Sequence, residues 1–447
     1  MKMKKKNSNL SVLIVISMFI ANNSYTQNKQ IELTKLEKMI TVDSISSKLK
    51  STYVFPEVAN EMSELIYNNL NKGFYNAINN PHDFANQLTE DLLSISHDKH
   101  IRVNYNPQGI PAQNAAYTAK DSLNNLNQYI NNLKRNNFGF KEVKILEGNI
   151  GYLDLRSFSD VKYAGETAVS AMNFLSNTDA LIIDLRMNGG GSPAMIQLIT
   201  SYLFDSDPVL LNNFYWRPTN SSTQTWTLPY VPGVRSSKTP VYILTSKSTF
   251  SAAEEFSYNL KNLKRATLIG ETTGGGAHPG GVVNATDKFS IWIPTGRAIN
   301  PITNTNWEGT GVIPDIEIPS NQALEVAQVK ALEFLLEKSN DEKIKRFYEW
   351  NLGAIKAVLK PVIIEKSTLE PYVGIYGQRI ISLENNTLYY QRGQGNKYEL
   401  IPLTKNDFLL KGMTSFRIKF IVEKGQNIIL EGNYEDGRSD RDFKNKE

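Results

Sequence analysis

The chain contains no cysteine. That excludes disulfide scaffolds, Cys-ligated zinc, iron–sulfur clusters, thiol nucleophiles and Cys-anchored lipidation, although it does not identify a redox compartment. Histidine is scarce as well: His82, His97, His100 and His278 are the whole supply. Any imidazole base must be one of these four. A surplus of charge is also missing. The formal net charge is +4, but Lys2, Lys4, Lys5 and Lys6 lie in the first 26 residues beside no acid, so the remainder is neutral. Nothing basic is left to attract nucleic acid or an anionic membrane. With 40% hydrophobic and 21% charged residues the usage is ordinary for a globular protein, which excludes global disorder, collagen and coiled coil.

What is present begins with a cationic stretch, MKMKKKNSN, followed by the apolar run LSVLIVISMFIA. That run is too short to span a bilayer, which takes roughly 20 residues. Small residues at Ser24 and Thr26 place a cleavage site before Gln27, so residues 1–26 read as a secretory signal. An uncleaved membrane anchor is the alternative. The mature protein is expected to be exported, periplasmic or secreted, with no membrane contact beyond export.

The rest of the chain changes character three times. Across residues 27–104 apolar positions follow helical spacing, with Val58, Met62, Leu65, Ile66 and Leu70 in one set and Phe84, Leu88 and Leu92 in another. Asn80-Pro81 offers a cap followed by proline at the first helical position. Residues 105–147 are polar and read as a linker or loop with a short helix. From 148 to 320, buried strands such as Ala180–Leu185, Val241–Thr245 and Ala266–Gly270 alternate with helices. That order implies βαβ units and a largely parallel sheet, with sites at strand C-termini. Residues 321–360 read as a helical connector. Residues 361–447 carry short alternating runs separated by Gly, Asn and Lys, the pattern of an antiparallel β-domain.

Three glycine- or serine-rich strings follow strands. Ser248–Glu254 places Ser251 where a strand hands over to a helix, and unpaired N–H groups there would stabilise an oxyanion. Ser-x-x-Glu is equally a capping box. Asn188-Gly189-Gly190-Gly191 could supply a further N–H or simply turn the chain. It meets neither G-x-G-x-x-G nor the P-loop spacing, so no nucleotide is implied. Gly270–Gly281 could face a substrate or form a turn cluster. A serine nucleophile needs a base. His97 and His100 stand where a helix yields to a strand, and as a zinc pair they have no third ligand at useful spacing.

Taken together, DKHIRV, GYLDLRSF, LIIDLRMNGGGS, STFSAAEEF, ATLIGETTGGGAHPGG and NWEGTGVIPDIEIP change the reading. In this order the chain resembles the serine peptidase family of tail-specific (C-terminal processing) proteases, tricorn core protease and interphotoreceptor retinoid-binding protein. The resemblance implies a ClpP/crotonase-like α/β core behind an N-terminal helical bundle. It implies Ser251 as nucleophile, His100 as base and Glu308 as a group that positions His100. It places the oxyanion at backbone N–H groups of Ala252 and of Gly189 or Gly190. His278 is the second-choice base. The Ser/Lys branch carries a lysine where this chain has Gly276, so the tricorn-like branch with a histidine base fits better. Lys99 stands where tricorn has a serine before its histidine, which leaves the orientation of His100 to another group.

Residues 105–147 are too few and too polar for a PDZ domain. The C-terminal region, with Leu369–Gly377 and Leu383–Arg392, resembles the lipocalin-like domain appended to some bacterial β-lactamase-like hydrolases. The expected function is an exported serine endopeptidase acting on a peptide or protein substrate, with no cofactor and no metal. A homo-oligomer is left open. Two alternatives remain on the same fold: a non-proteolytic binding protein for apolar ligands, and an esterase-type acyl hydrolase.

Overall fold

A computed structural model describes residues 32–107, 119–423 and 427–445. The expected signal segment lies outside the described residues. The first described elements are three helices, α1 (Lys35–Thr52), α2 (Pro56–Asn71) and α3 (Pro81–Ser96). Their starts are written locally. Thr34 and Glu37 form a capping box on α1, and α2 and α3 each begin with proline. Val42, Ile45, Leu49, Met62, Ile66, Phe84, Leu88 and Leu92 are buried together between them. Each such side chain contributes about 1.5–3 kcal/mol when buried. Helix α3 ends on His97 in the left-handed conformation (φ 55°), and the chain turns into strand β1 (Arg102–Tyr105).

The expected linker is more structured than its polarity suggested. It holds helix α4 (Ala119–Arg135) and strand β2 (Phe140–Leu146). β2 pairs antiparallel with β3 (Ile150–Leu155), so the central sheet begins before residue 148. It is an edge strand with one largely exposed side, which is why its sequence lacks a continuous apolar run.

The core continues through α5 (Val161–Phe174), β4 (Ala180–Asp184), α6 (Pro193–Tyr202), β5 (Leu210–Trp216), β6 (Ser221–Trp226), β7 (Val241–Thr245), α7 (Ala252–Asn262), β8 (Ala266–Gly270), β9 (Gly280–Asn284), β10 (Phe289–Pro294), β11 (Gly296–Ile299) and β12 (Ile316–Glu317). The six-stranded sheet runs β12-β8-β7-β4-β3-β2 and is parallel from β12 to β3. Successive residues of β4 point to opposite faces. Leu181 and Ile183 pack with α5, α6 and α7, while Ala180 and Ile182 pack with α8 (Ala323–Lys338) and α9 (Glu342–Leu359). The helix expected across 321–358 is therefore two helices. Asp341 accepts the N–H groups of Lys343 and Ile344 at 2.8 and 3.3 Å and starts the second.

Two small sheets frame the site. β11-β5-β6 forms one, and β1-β10-β9 the other, all antiparallel. The second ties the helical region to the core: β1 lies beside β10, and both contribute to one apolar cluster with α1–α3. It is this pairing that carries the segment before β1 into the core's cleft.

From residue 374 to 443 eight strands follow in simple up-and-down order. The first and last approach each other: Tyr376 bridges Lys444, and Asn445 N–H donates to the Ile375 carbonyl at 2.8 Å. The sheet thus closes nearly into a barrel around Tyr376, Ile381, Leu388, Leu400, Phe408, Ile418, Phe420 and Leu430. On its flank Arg417 stacks over Trp350 of α9, 3.9 Å from the ring centre. Among the described residues no helix is long and apolar enough to cross a membrane.

Candidate active site

Strand β7 ends at Thr245, and six residues later Ser251 takes an unusual backbone conformation, φ 56° and ψ −120°, before α7 begins. A non-glycine residue held there is strained, and the surroundings must hold it. They do so through Glu254. Its buried carboxylate accepts the N–H of Ser251 at 2.8 Å, of Gly275 at 2.6 Å and of Gly276 at 2.8 Å, and the Thr273 hydroxyl at 2.5 Å. Burial pushes the Glu254 carboxyl up, and these four donors oppose that shift. The Glu254 arm of the capping box is therefore present, and it also fastens the glycine loop to the serine turn.

The Asn188–Gly191 loop closes on the other side. Asn188 is fully buried. Its side chain donates to the Leu155 carbonyl at 2.8 Å and accepts Gly190 N–H at 2.9 Å, while its carbonyl takes Phe250 N–H at 3.0 Å. Gly190 has φ 111°, and a Cβ there would lie 2.9 Å from Ser251 Cβ. Glycine is what lets the loop approach the serine. Gly190 N–H is already donated to Asn188, whereas a Cβ on Gly189 would meet nothing within 4 Å, and Ala252 stands at the first position of α7.

His100 comes from the turn between α3 and β1. Its Nε2 lies 3.1 Å from Ser251 Oγ. The ring packs against Phe250 and stacks near Trp292, with centroids 4.7 and 6.5 Å away. A Cβ on Gly276 would lie 2.7 Å from His100 Cε1, so this glycine too is set by close approach. Behind His100 stands Asp98. Its Oδ1 accepts His100 N–H at 3.1 Å and lies 3.6 Å from His100 Nδ1. Its Oδ2 lies 2.7 Å from His278 Nδ1, and Tyr53 Oη approaches at 3.5 Å. Asp98 is 1% exposed. Burial alone would push its carboxyl up, but His100 and His278 outweigh it and hold the group down at about 2.

The expected contact of Glu308 with His100 is made differently. Glu308 Oε2 accepts Ala277 N–H at 2.5 Å and lies 3.4 Å from His278 Nδ1. Burial, and then the charge of Asp98, push its carboxyl up, against the pull of His278. His278 is correspondingly not beside the serine. It sits one group further back, between two carboxylates and edge-on to Phe55. Lys99 points away and donates to the Gly274 carbonyl at 2.6 Å.

Asp98 was not singled out from the sequence as a functional carboxylate. Its local signal was available: an Asp two residues before a histidine, at a helix end, commonly accepts that residue's N–H in an Asx-turn. His278, which lies 180 residues away, had no such signal. The zinc pairing considered for His97 and His100 also changes. One ligand atom each from Asp98, His100 and Glu308 lies within 4.8 Å of the others, a spacing at which a divalent cation could be held.

Next to Ser251 a cavity of about 460 Å³ opens, and its lining includes Phe214, Trp216, Trp292, Trp307 and Glu255. The arrangement therefore joins a hydroxyl within hydrogen-bond distance of an imidazole, a helix start beside a glycine loop and a largely apolar recess.

Residues 149–318 match the model of Peptidase family S41, and residues 22–137 match that of the N-terminal domain of Peptidase S41 in eukaryotic IRBP. The chain is 28% identical over 174 residues to the chloroplastic carboxyl-terminal-processing peptidase 2 of Arabidopsis thaliana, 38% of this chain and 32% of that one. It is 24% identical over 179 residues to a carboxy-terminal-processing protease of Bartonella bacilliformis, 39% of each. It thus spans about a third of the length of the curated relatives it matches. Among solved structures, the photosystem II D1 C-terminal processing protease aligns with 64% of this chain and 94% of its own, at a TM-score of 0.39 and 15% identity. One family model contains Asp98 and His100, the other Ser251, His278 and Glu308; matched in tandem, they show a peptidase family S41 region at 149–318 behind a region, 22–137, that matches the family's N-terminal domain.

Proposed function

We propose that this chain is a serine peptidase that cleaves peptide bonds through an acyl-enzyme on Ser251. The observation that carries the reading is the 3.1 Å approach of His100 Nε2 to Ser251 Oγ at the start of α7. His100 Nε2 takes the hydroxyl proton as Oγ bonds to the substrate carbonyl carbon. The resulting oxyanion is held by the N–H groups of Ala252 and Gly189. Such a donor is worth roughly 10²–10³ in kcat. The C–N bond then breaks, and the proton passes from His100 Nε2 to the departing amine. Water attacks the ester with His100 again as base, and releases the acid and the free serine.

Asp98 faces the Nδ1 side of His100 and steadies the imidazolium that forms. His278 and Glu308 act through Asp98 as positioning residues. Glycine at position 276, where the Ser/Lys branch has its lysine, and the approach of His100 to Ser251 support a histidine base rather than a lysine. The basic-then-apolar N-terminus supports export, with a protein or peptide encountered outside the cytoplasm as substrate.

Fluorophosphonate labelling of the purified protein, read by mass spectrometry, tests this. The expected result is modification of the peptide holding Ser251, lost in His100→Ala, together with casein or peptide turnover. Labelling with ester turnover alone would make the chain an acyl hydrolase of another kind. No labelling and no turnover would overturn the reading in favour of a binding protein.

A further inference from the structure

The relay uses Asp98, His278 and Glu308, yet one buried carboxyl beside Ser251 has no part in it. Glu255 stands four residues after the nucleophile, so the two share a face of α7, and helix side chains tilt toward the N-terminus. It therefore leans toward the cavity that Ser251 opens onto, and it lines that cavity. Unlike Glu254, it does not serve the serine turn.

Strand β5 builds the facing wall. Asn212, Phe214 and Trp216 alternate along it and so lie on one side. Phe214 and Trp216 stack, with centroids 6.0 Å apart, and both border the cavity. Exposure falls from Trp216, which is half-buried, to Phe214 and then to the fully buried Asn212, whose amide donates to Glu255 Oε1 at 3.3 Å. The recess thus runs from an aromatic mouth to a single carboxyl at its floor. That carboxyl is 4% exposed and has amide neighbours, Asn212 and Asn259, with no cation beside it among the described residues. A buried carboxyl with no opposite charge is costly unless something else uses it.

We propose that this recess receives the side chain of the substrate residue whose carbonyl Ser251 attacks, and that Glu255 selects a lysine or arginine there. The assignment rests on the peptidase reading above. An aliphatic stem would lie along Phe214 and Trp216, and its cationic tip would reach Glu255. The aromatic faces add attraction for the approaching cation. Burial pushes the Glu255 carboxyl up to about 7, opposed only by its amide neighbours, and a cation brought beside it would favour the ionised form.

The test compares peptide amide substrates that differ only in this residue: lysine, arginine and norleucine, which is lysine without its ammonium. For the wild type, kcat/KM for lysine and arginine is expected to exceed that for norleucine at least tenfold. In Glu255→Gln the lysine-to-norleucine ratio is expected to fall at least tenfold, with the fold checked by circular dichroism. A wild-type preference for norleucine, or a ratio unmoved in Glu255→Gln, overturns the assignment. If the glutamine variant does not fold, the wild-type ratio decides alone. Fluorophosphonate labelling of the same preparations separates the two claims. Labelled Ser251 without a basic preference removes only the pocket assignment. Absence of both labelling and cleavage removes the peptidase reading and the assignment with it.

Discussion

The two walls that meet at Ser251 follow opposite electrostatic plans. On the His100 side, titratable groups interlock: Asp98 touches His100 and His278, and Glu308 touches His278. On the pocket side, Glu255 stands among amides and aromatic rings. Asp98 and Glu255 are both deeply buried, yet one carboxyl is held at about 2 and the other raised to about 7. Burial pushes either group up, and only the presence of imidazoles reverses the sign for Asp98. The lesson is that burial depth does not tell a charge's role. What faces the charge does: two imidazoles hold Asp98 down, while amides leave Glu255 raised.

The strongest way to break this comparison is at the chemistry both walls serve. Ser251→Ala is expected to abolish labelling and lower kcat about 10⁴-fold or more, measured on any peptide the wild type cleaves. On the paired wall, Asp98→Asn is expected to lower kcat about 10³–10⁴-fold and to move the pH profile of kcat/KM. Glu308→Gln, which acts one group further back, is expected to cost only about tenfold. Equal losses from both would show that the relay is not ordered as drawn. Gly190→Ala should cost about 10²-fold in kcat, because its Cβ would press on Ser251 Cβ from 2.9 Å at a φ of 111°.

Stability against pH sharpens the contrast. Glu255 has a folded value near 7, above its ordinary 4.5, so the folded state loses stability as pH rises between these values. Glu255→Gln is therefore expected to melt later than wild type at pH 8, by up to about 3 kcal/mol, and equally near pH 4. Asp98 has the opposite sign. Its depressed value contributes about 2 kcal/mol above its ordinary 3.8, lost as pH falls through about 2. Asp98→Asn should accordingly melt earlier at pH 7, with the gap closing in acid. Thermal melts of both variants at matched pH values check the two signs together.

Local pattern and packing divided the work of specifying this molecule. The runs Ala180–Asp184 and Val241–Thr245 announce buried strands, because a strand covered on both faces must be apolar throughout. Asn80-Pro81 announces the start of α3 because one residue caps and the next fits the first turn. Ser251 was visible for a related reason: a serine between a buried strand and a helix is a local event. His100 was named through its motif, and the structure puts it on the serine.

What no local pattern contained was the pairing of distant parts. β2 is polar, and only its bond to β3 makes it a strand of the central sheet. The near-barrel depends on Tyr376 meeting Lys444, ends of a region whose individual strands were legible but whose closure was not. The site behaves likewise. Residue spacing and composition determined that a serine would stand at a helix start, that glycines would lie near it and that four histidines were the possible bases. Only the tertiary structure decided that Asp98 would back His100, that His278 would pair with Asp98 rather than with Ser251, and that Glu255 would end at the floor of the recess. The physical reason is that turns and periodicities are set by neighbours along the chain. The charge state and direction of a buried side chain are set by whatever the rest of the chain brings against it.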